Sequence, residues 1–263
     1  MTEAPGALAE RRGNVMVITI NRPEARNAVN AAVSIGLGDA LEAAQHDPEV
    51  RAVVVTGAGD KSFCAGADLK AIARRENLYH PDHPEWGFAG YVHHFIDKPT
   101  IAAVNGTALG GGTELALASD LVVADERAQF GLPEVKRGLI AAAGGVFRIV
   151  EQLPRKVAMR LLLTGEPLTA AAACEWGLIN EVVAQGSVLD AALALAQRIT
   201  VNAPLSVQAS KRIAYGVDDG VVVGDEPGWP RTIREMKALL RSEDAKEGPL
   251  AFAEKREPVW KAR

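Results

Sequence analysis

Three glycines stand directly before a threonine and a glutamate in "LGGGTELALASD", Leu109 to Asp120. A glycine run carries an entropic cost, so it points to unusual dihedrals or to a close approach to the backbone. Glu114, at the head of an otherwise apolar segment, also needs a chemical reason. The run is not a phosphate-cradling P-loop, because no Gly-Lys-Ser/Thr follows it. The turn "TGAGDKSF" after "RAVVV" offers Gly57 and Gly59, but Ser62 occupies the third glycine position of a dinucleotide fingerprint. What remains is an oxyanion hole. Free backbone N–H groups at a helix N-terminus bind developing negative charge, and glycine lets a substrate oxygen reach them. "CAGAD", Cys64 to Asp68, is a second turn of this kind, so two loops can each supply one donor to one carbonyl oxygen. Polarising a carbonyl is useful only with a group that moves protons. Glu114 and Glu134, twenty positions apart, both fall at predicted helix starts. Each alone reads as a dipole-complementing first-turn acid. Together, beside two glycine turns, they read as an acid/base pair.

These residues need a scaffold. Asn14–Ile20, Arg51–Val55, Thr100–Val104 and Asp120–Ala124 are apolar and β-branched and predict strands. "RAVVV" is apolar on both faces, as in a buried parallel strand. Helices are expected over Ala31–Ala44, from about Asp68, and after the glycine run. "AQFGLPE" predicts a short strand and then a helix start. From Val146 the chain reads as helix after helix, with a good amphipathic period over Leu189–Ile199. Glu76–Gly90, rich in Pro, His and aromatics, reads as a surface loop or lid. Strands alternating with helices define an α/β chain, with an appended helical layer from about Pro204.

The chain has 263 residues, 48% hydrophobic and 24% charged, within the ordinary globular range. A net charge of −4 provides no positive field to recruit nucleic acid or an anionic membrane. Cys64 and Cys174 lie too far apart in sequence to suggest a metal cluster and read as small buried hydrophobes. "MTEAPGALAERRG" lacks the apolar core of a signal peptide, and no apolar run reaches the ~20 residues of a membrane span. The cytoplasm is the expected location. His80-x-x-His83, with His93 and His94 nearby, suggests a ligand pair, but no spaced cysteines or carboxylates complete a metal site.

"NRPEARNAVN", "FCAGADLK", "NGTALGGGTELALASDLVVAD", "FGLPEVKRGL", "LLLTGEPLTAAAACEWGLINEVV" and "EDAKEGPLAFAEKR" occur in that order. Together, from about Val15 to Arg256, they resemble the crotonase family, also called enoyl-CoA hydratase/isomerase. The resemblance implies an α/β fold: a spiral of ββα units over residues 1–200, then a C-terminal helical trimerisation region over 201–263. It implies an acyl-CoA thioester substrate, a homotrimer or dimer of trimers, and no cofactor or metal beyond the substrate's own coenzyme A. The backbone N–H groups of Ala67 and Gly111 match the oxyanion-hole positions, and Glu114 and Glu134 match the paired glutamates of hydratases. Arg26 and the backbone around Ala25 match positions near the nucleotide. Ala65, Asp68, Leu69 and Lys70 line the coenzyme A path, and Lys255 matches a residue that reaches a neighbour's phosphates. The implied activity is reversible addition of water to a trans-2-enoyl-CoA. The alternatives are another dehydratase or isomerase of the family and a non-catalytic acyl-CoA-binding protein. The sequence departs from the family at "GLIAAAGG", Gly138 to Gly145. There Ala141 and Ala142 replace a Pro and a Gly, and Leu132 stands where Gln is frequent. These changes bear on acyl choice, as do Tyr79, Trp86, Phe88 and Tyr91, which are expected to bound the acyl pocket.

Overall fold

The computed structural model describes residues 4–263. Twelve strands and ten helices are assigned among them. In chain order they are β1 (Ala7–Arg12), β2 (Val15–Ile20), α1 (Ala31–His46), β3 (Ala52–Gly57), β4 (Ser62–Cys64), α2 (Leu69–Ala73), β5 (Thr100–Val104), β6 (Thr107–Leu109) and α3 (Gly111–Ala118). Then come β7 (Leu121–Asp125), β8 (Gln129–Gly131), α4 (Gly145–Gln152), α5 (Arg155–Thr164), β9 (Leu168–Thr169), α6 (Ala170–Glu175), β10 (Glu181–Val183) and α7 (Val188–Thr200). The last are α8 (Pro204–Tyr215), β11 (Val217–Asp218), β12 (Val221–Val222), α9 (Gly228–Leu239) and α10 (Asp244–Glu254).

One sheet runs β1-β2-β3-β5-β7-β10, and a second runs β4-β6-β8-β9. From β3 to β8, consecutive strands therefore alternate between the two sheets. β3, β5 and β7 are parallel neighbours in the first sheet. β4, β6 and β8, which follow them, are parallel neighbours in the second. Each pair leads to a helix or helical turn, so the chain advances as a spiral of ββα units. The same chain-end side of every unit then carries a strand-to-helix turn, which is how two glycine turns distant in sequence come to adjoin.

β3 and β5 are buried along their whole length, as their continuous apolar runs require. Their side chains alternate between two cores with a period of two. Ala52, Val54, Ile101 and Ala103 pack under α7 through Val188, Ala192 and Ala196. Val53, Val55, Ala102 and Val104 face the larger core with α1 and α3. The amphipathic period read over Leu189–Ile199 is this α7 contact.

Three sequence readings are corrected. β1 went unread because it is an antiparallel edge strand with only Ala7 buried, so its polar "ALAERR" carries no apolar pattern. The region after Val146 is not helix throughout. It also contains β9, β10 and the β11–β12 hairpin, each two or three residues long and too short to show a period. Glu134 does not open a full helix. It lies in a single 3-10 turn, Pro133–Arg137, closed by Gly138 at φ 64°. The Glu76–Gly90 stretch is irregular as expected, but His80, Phe88, Ala89 and Gly90 are buried. Gly90 lies so close to α1 that a Cβ there would meet the Ser34 carbonyl oxygen at 2.4 Å.

Candidate active site

The ends of β4 and β6 pair at Cys64 and Ala108, which aligns the turn after each strand. Gly66 has φ +90°, and a Cβ on it would lie 3.1 Å from the amide nitrogen of Gly111. The two glycine turns therefore touch. Gly110 adopts φ 56°, ψ −123°, a conformation that side chains disfavour. Gly112 presses on β4, where a Cβ would fall 2.0 Å from the Cys64 carbonyl oxygen. The run of three glycines thus reflects one special dihedral and two close approaches.

Ala67 forms an isolated parallel bridge with Val29. That bridge uses the Gly66 carbonyl and the Asp68 N–H, at 2.8 and 2.9 Å, and so turns the N–H of Ala67 to the other side. Gly111 is the first residue of α3, where amides lack intrahelical partners. Among the described residues neither N–H donates to a backbone carbonyl. Two free donors on touching turns are the arrangement an oxyanion requires.

Glu114 lies in the first turn of α3 and is buried. The N–H groups of Ala143 and Gly145 donate to its Oε1 at 2.7 and 2.9 Å. Burial pushes its carboxyl up to about 8, with the nearby Glu134 charge adding to the rise and the two N–H donors opposing it. Burial also pushes Glu134 up, to about 7. Glu134 Oε1 sits 2.9 Å from where a Gly110 Cβ would be, and its buried Oε2 has no hydrogen-bond partner. Both carboxylates are thus brought beside the Gly110–Gly111 turn. Near neutral pH such a pair holds about one proton between its members, which supplies one acid and one base.

Thr113 ties the two halves together. Its hydroxyl donates to the Ala108 carbonyl at 2.7 Å and accepts from the Gly131 N–H at 2.9 Å. Gly131 ends β8, two residues before the turn that carries Glu134. Sequence reading noticed Thr113 only as the residue that spoils a P-loop. It also missed Ala143 and Gly145 as the donors to Glu114. The only signal for them was the second glycine pair, at 144–145 in "GLIAAAGG".

The residues expected along the coenzyme A path mostly converge. The Ala65 N–H donates to the Arg26 carbonyl at 3.1 Å, which joins the Ala25–Arg26 turn to the Ala65–Lys70 segment. Arg26, Ala65, Leu69 and Lys70 are exposed and Ala25 is half-buried. Asp68 has other partners: it caps α2 through the N–H groups of Lys70 and Ala71 and pairs with Arg22 at 2.9 Å. The Arg22 guanidinium and these N–H donors hold its carboxyl below the usual range against the opposing effect of partial burial. Lys255 follows α10 at φ 56° and is exposed, and no hydrogen bond or ion pair joins it to this group among the described residues.

Of the loop aromatics, Phe88 reaches the site, with its ring against the Cα of Gly111. Trp86 stacks between His83 and His94, at 4.0 and 4.1 Å. The Tyr91 hydroxyl pairs with Ser119 at 3.0 Å, and Tyr79 is exposed. The histidines act in the same packing. His80 bonds Asp39, His94 bonds Glu42, and His93 lies against Trp229. Among the described residues no three His, Cys, Asp or Glu side chains converge as metal ligands. No helix is long and apolar enough to cross a membrane.

A spiral of ββα units closed by C-terminal helices defines the class: this is the α/β crotonase fold. Residues 10–263 match the enoyl-CoA hydratase/isomerase family. A solved carnitinyl-CoA dehydratase from Mycobacterium avium 104 is 92% identical, with a TM-score of 0.96 over 99% of this chain and 100% of that one. An enoyl-CoA hydratase from Mycobacterium tuberculosis H37Rv is 47% identical, with a TM-score of 0.77 over 99% and 100%. A carnitinyl-CoA dehydratase from Salmonella paratyphi A is 44% identical over 256 residues, 96% of this chain and 97% of that one. The chain belongs to the enoyl-CoA hydratase/isomerase, or crotonase, family, and it is a hydro-lyase of the acyl-CoA hydratase/dehydratase kind.

Proposed function

We propose that the enzyme adds water reversibly across the 2,3 double bond of a trans-2-enoyl-CoA, giving a 3-hydroxyacyl-CoA. The observation that carries this is the pairing of buried Glu114 with half-buried Glu134 beside two touching turns with free N–H groups. The N–H groups of Ala67 and Gly111 hold the thioester oxygen and make carbon 3 electrophilic. Glu114, fixed at Oε1, orients the water through its other oxygen and takes one of its protons. The water oxygen bonds to carbon 3, and electrons move through carbon 2 onto the thioester oxygen as an enolate. Burial raises Glu114 somewhat more than Glu134, but the two N–H donors on Glu114 Oε1 hold it as the carboxylate while Glu134, with its unpartnered Oε2, carries the shared proton in this reading. Glu134 gives that proton to carbon 2. At product the pair still holds one proton, now on Glu114, and it passes back to Glu134 before the next turnover, so hydration needs no other reactant. In this reading Ala25, Arg26 and the Ala65–Lys70 segment, with Asp68 shaping its start, seat the coenzyme A.

The names of the relatives favour a second reading, in which the substrate is carnitinyl-CoA and the favoured direction is loss of water. The same two carboxylates serve it by microscopic reversibility. The test is the change in enoyl-thioester absorbance with crotonyl-CoA, a longer enoyl-CoA and carnitinyl-CoA. Fast loss with crotonyl-CoA is the expected result. A kcat/KM at least tenfold higher for carnitinyl-CoA would select the second reading. No change with any of the three, despite acyl-CoA binding, would select a specialised relative of the family acting on another acyl-CoA, or the non-catalytic alternative.

The assembly proposed is a homotrimer or dimer of trimers built through the C-terminal helices. The support is exposed apolar surface there: Leu205 and Ile213 on α8 are 77% and 80% exposed, and Leu250 and Phe252 on α10 are about half exposed. Lysines such as Lys255 would then reach a neighbour's site. Sedimentation is expected to give three or six chains, and a stable monomer would refute the assembly and the role of Lys255 with it.

A further inference from the structure

Arg148 is half-buried, and two of its guanidinium nitrogens go to a single partner. Its Nε and Nη2 both donate to one oxygen of Asp225, Nε at 2.9 Å. Each side chain of this pair is 11% exposed. Its Nη1 is buried with no partner. That nitrogen lies 3.2 Å from the Cβ position of Gly144, and the Trp229 ring lies equally close. Gly144 sits between Ala143 and Gly145, whose N–H groups hold Glu114. The Arg148 N–H in turn donates to the Gly144 carbonyl at 3.0 Å. Trp229 faces the guanidinium at 5.3 Å, within cation–π range. The first residue of α9, Gly228, lies against Phe147, where a Cβ would meet ring carbons at 2.6 Å. The segment Asp225–Trp229 therefore clamps α4 just where α4 presents its first turn to Glu114.

We infer that Arg148, fixed by Asp225 and Trp229, is a positioning residue that holds the 143–145 turn against Glu114 and places a positive charge behind it. The Nη1 edge of the guanidinium thus sets a positive charge beside Gly144, the residue between the two donors to Glu114. The charged or titratable groups facing Glu114 are few: Glu134 from the 3-10 turn, Cys64 from β4 and Arg148 from α4. Arg148 is the cation among them, and it favours the charged form of Glu114. Asp225, Glu151, Tyr91 and Tyr215 face Arg148. The device also couples the docking of the C-terminal helices to the readiness of the site.

This inference rests on Glu114 acting as the base. Arg148→Gln with Asp225→Asn keeps a hydrogen bond and leaves no orphan charge, so the double variant is expected to fold. Its kcat for crotonyl-CoA hydration should fall about 100-fold, the scale of a small misplacement, with KM within about threefold of wild type. Loss of the positive charge raises the pKa of Glu114, so the rising limb of kcat against pH should move to higher pH. Arg148→Lys keeps the charge and should hold the limb near its wild-type position while kcat falls. An unmoved kcat and pH profile in the double variant, with active wild type, would overturn the inference alone, and so would a change confined to KM. A limb that shifts equally in Arg148→Lys would overturn it as well. A wild-type enzyme that hydrates no enoyl-CoA would overturn the hydratase reading and this inference together.

Discussion

Glu114→Gln and Glu134→Gln are each expected to lower crotonyl-CoA turnover by about 10²–10⁴-fold, the usual loss for one general acid/base group, with acyl-CoA binding retained. The two losses should not add, because the carboxylates share one proton and act as a unit. Near-wild-type turnover in either variant would sink its catalytic assignment. The same substitutions carry an opposite effect on stability. Both carboxyls are raised in the folded enzyme, to about 8 and about 7, against an ordinary 4.5. A raised carboxyl contributes stability that is fully present below the unfolded pKa and is lost as pH rises through the folded one. Between about pH 5 and 8 the wild-type enzyme therefore loses stability with increasing pH, since it must either keep a proton from solvent or bury a charge. Glutamine carries no such burden. Urea unfolding at pH 6 and pH 9 should show each Gln variant gaining on wild type at the higher pH. A variant that is slower and equally destabilised at both pH values would mean that its carboxyl is an ordinary ionised group.

Such a pair is a buried cost kept for chemistry, and this explains what the sequence could reveal. Glu114 stood out because a carboxylate at the head of an apolar helix, beside a glycine run and paired with a second glutamate, reads as chemistry rather than as a lone first-turn acid, and its glycines stood out because they are entropically unfavourable. β3 and β5 were legible for the opposite reason: full burial makes a strand apolar at every position. The edge strand β1 and the two-residue β9 carry no such constraint and left no pattern. Within the site, the groups that grip Glu114 are backbone N–H groups of Ala143 and Gly145. Any residue type supplies an N–H, so composition is silent about them. The Arg148–Asp225 pair is silent for another reason. Its members lie 77 positions apart, and nothing in either local stretch announces the other. Phe88 falls between these cases. Its aromatic loop was read as bounding the acyl pocket, and only the close approach of Gly111 shows which ring lies against the glycine turn.

That approach sets the second large effect. Gly111→Ala is expected to fold, since the position has no left-handed φ and alanine favours a helix start over glycine. The new methyl would nevertheless fall 2.4 and 2.6 Å from ring carbons of Phe88, and 3.2 Å from the Cα of Gly66. Phe88 is buried and packed, so relief must come either from the ring or from the turn. If the turn moves, the Gly111 N–H no longer meets the thioester oxygen as charge develops on it. Loss of one oxyanion donor costs about 10²–10³-fold in kcat, and that is the expected fall for crotonyl-CoA. Adding Phe88→Ala removes the closer clash, so the double variant should recover much of the lost rate while Phe88→Ala alone does not exceed wild type in kcat. Recovery would separate a displaced donor from a collapsed site, because a general loss of structure is not repaired by a second truncation in the core. Full activity in Gly111→Ala itself would mean that the N–H at this turn does not face the reacting oxygen, and the two-turn oxyanion hole would then have to be abandoned.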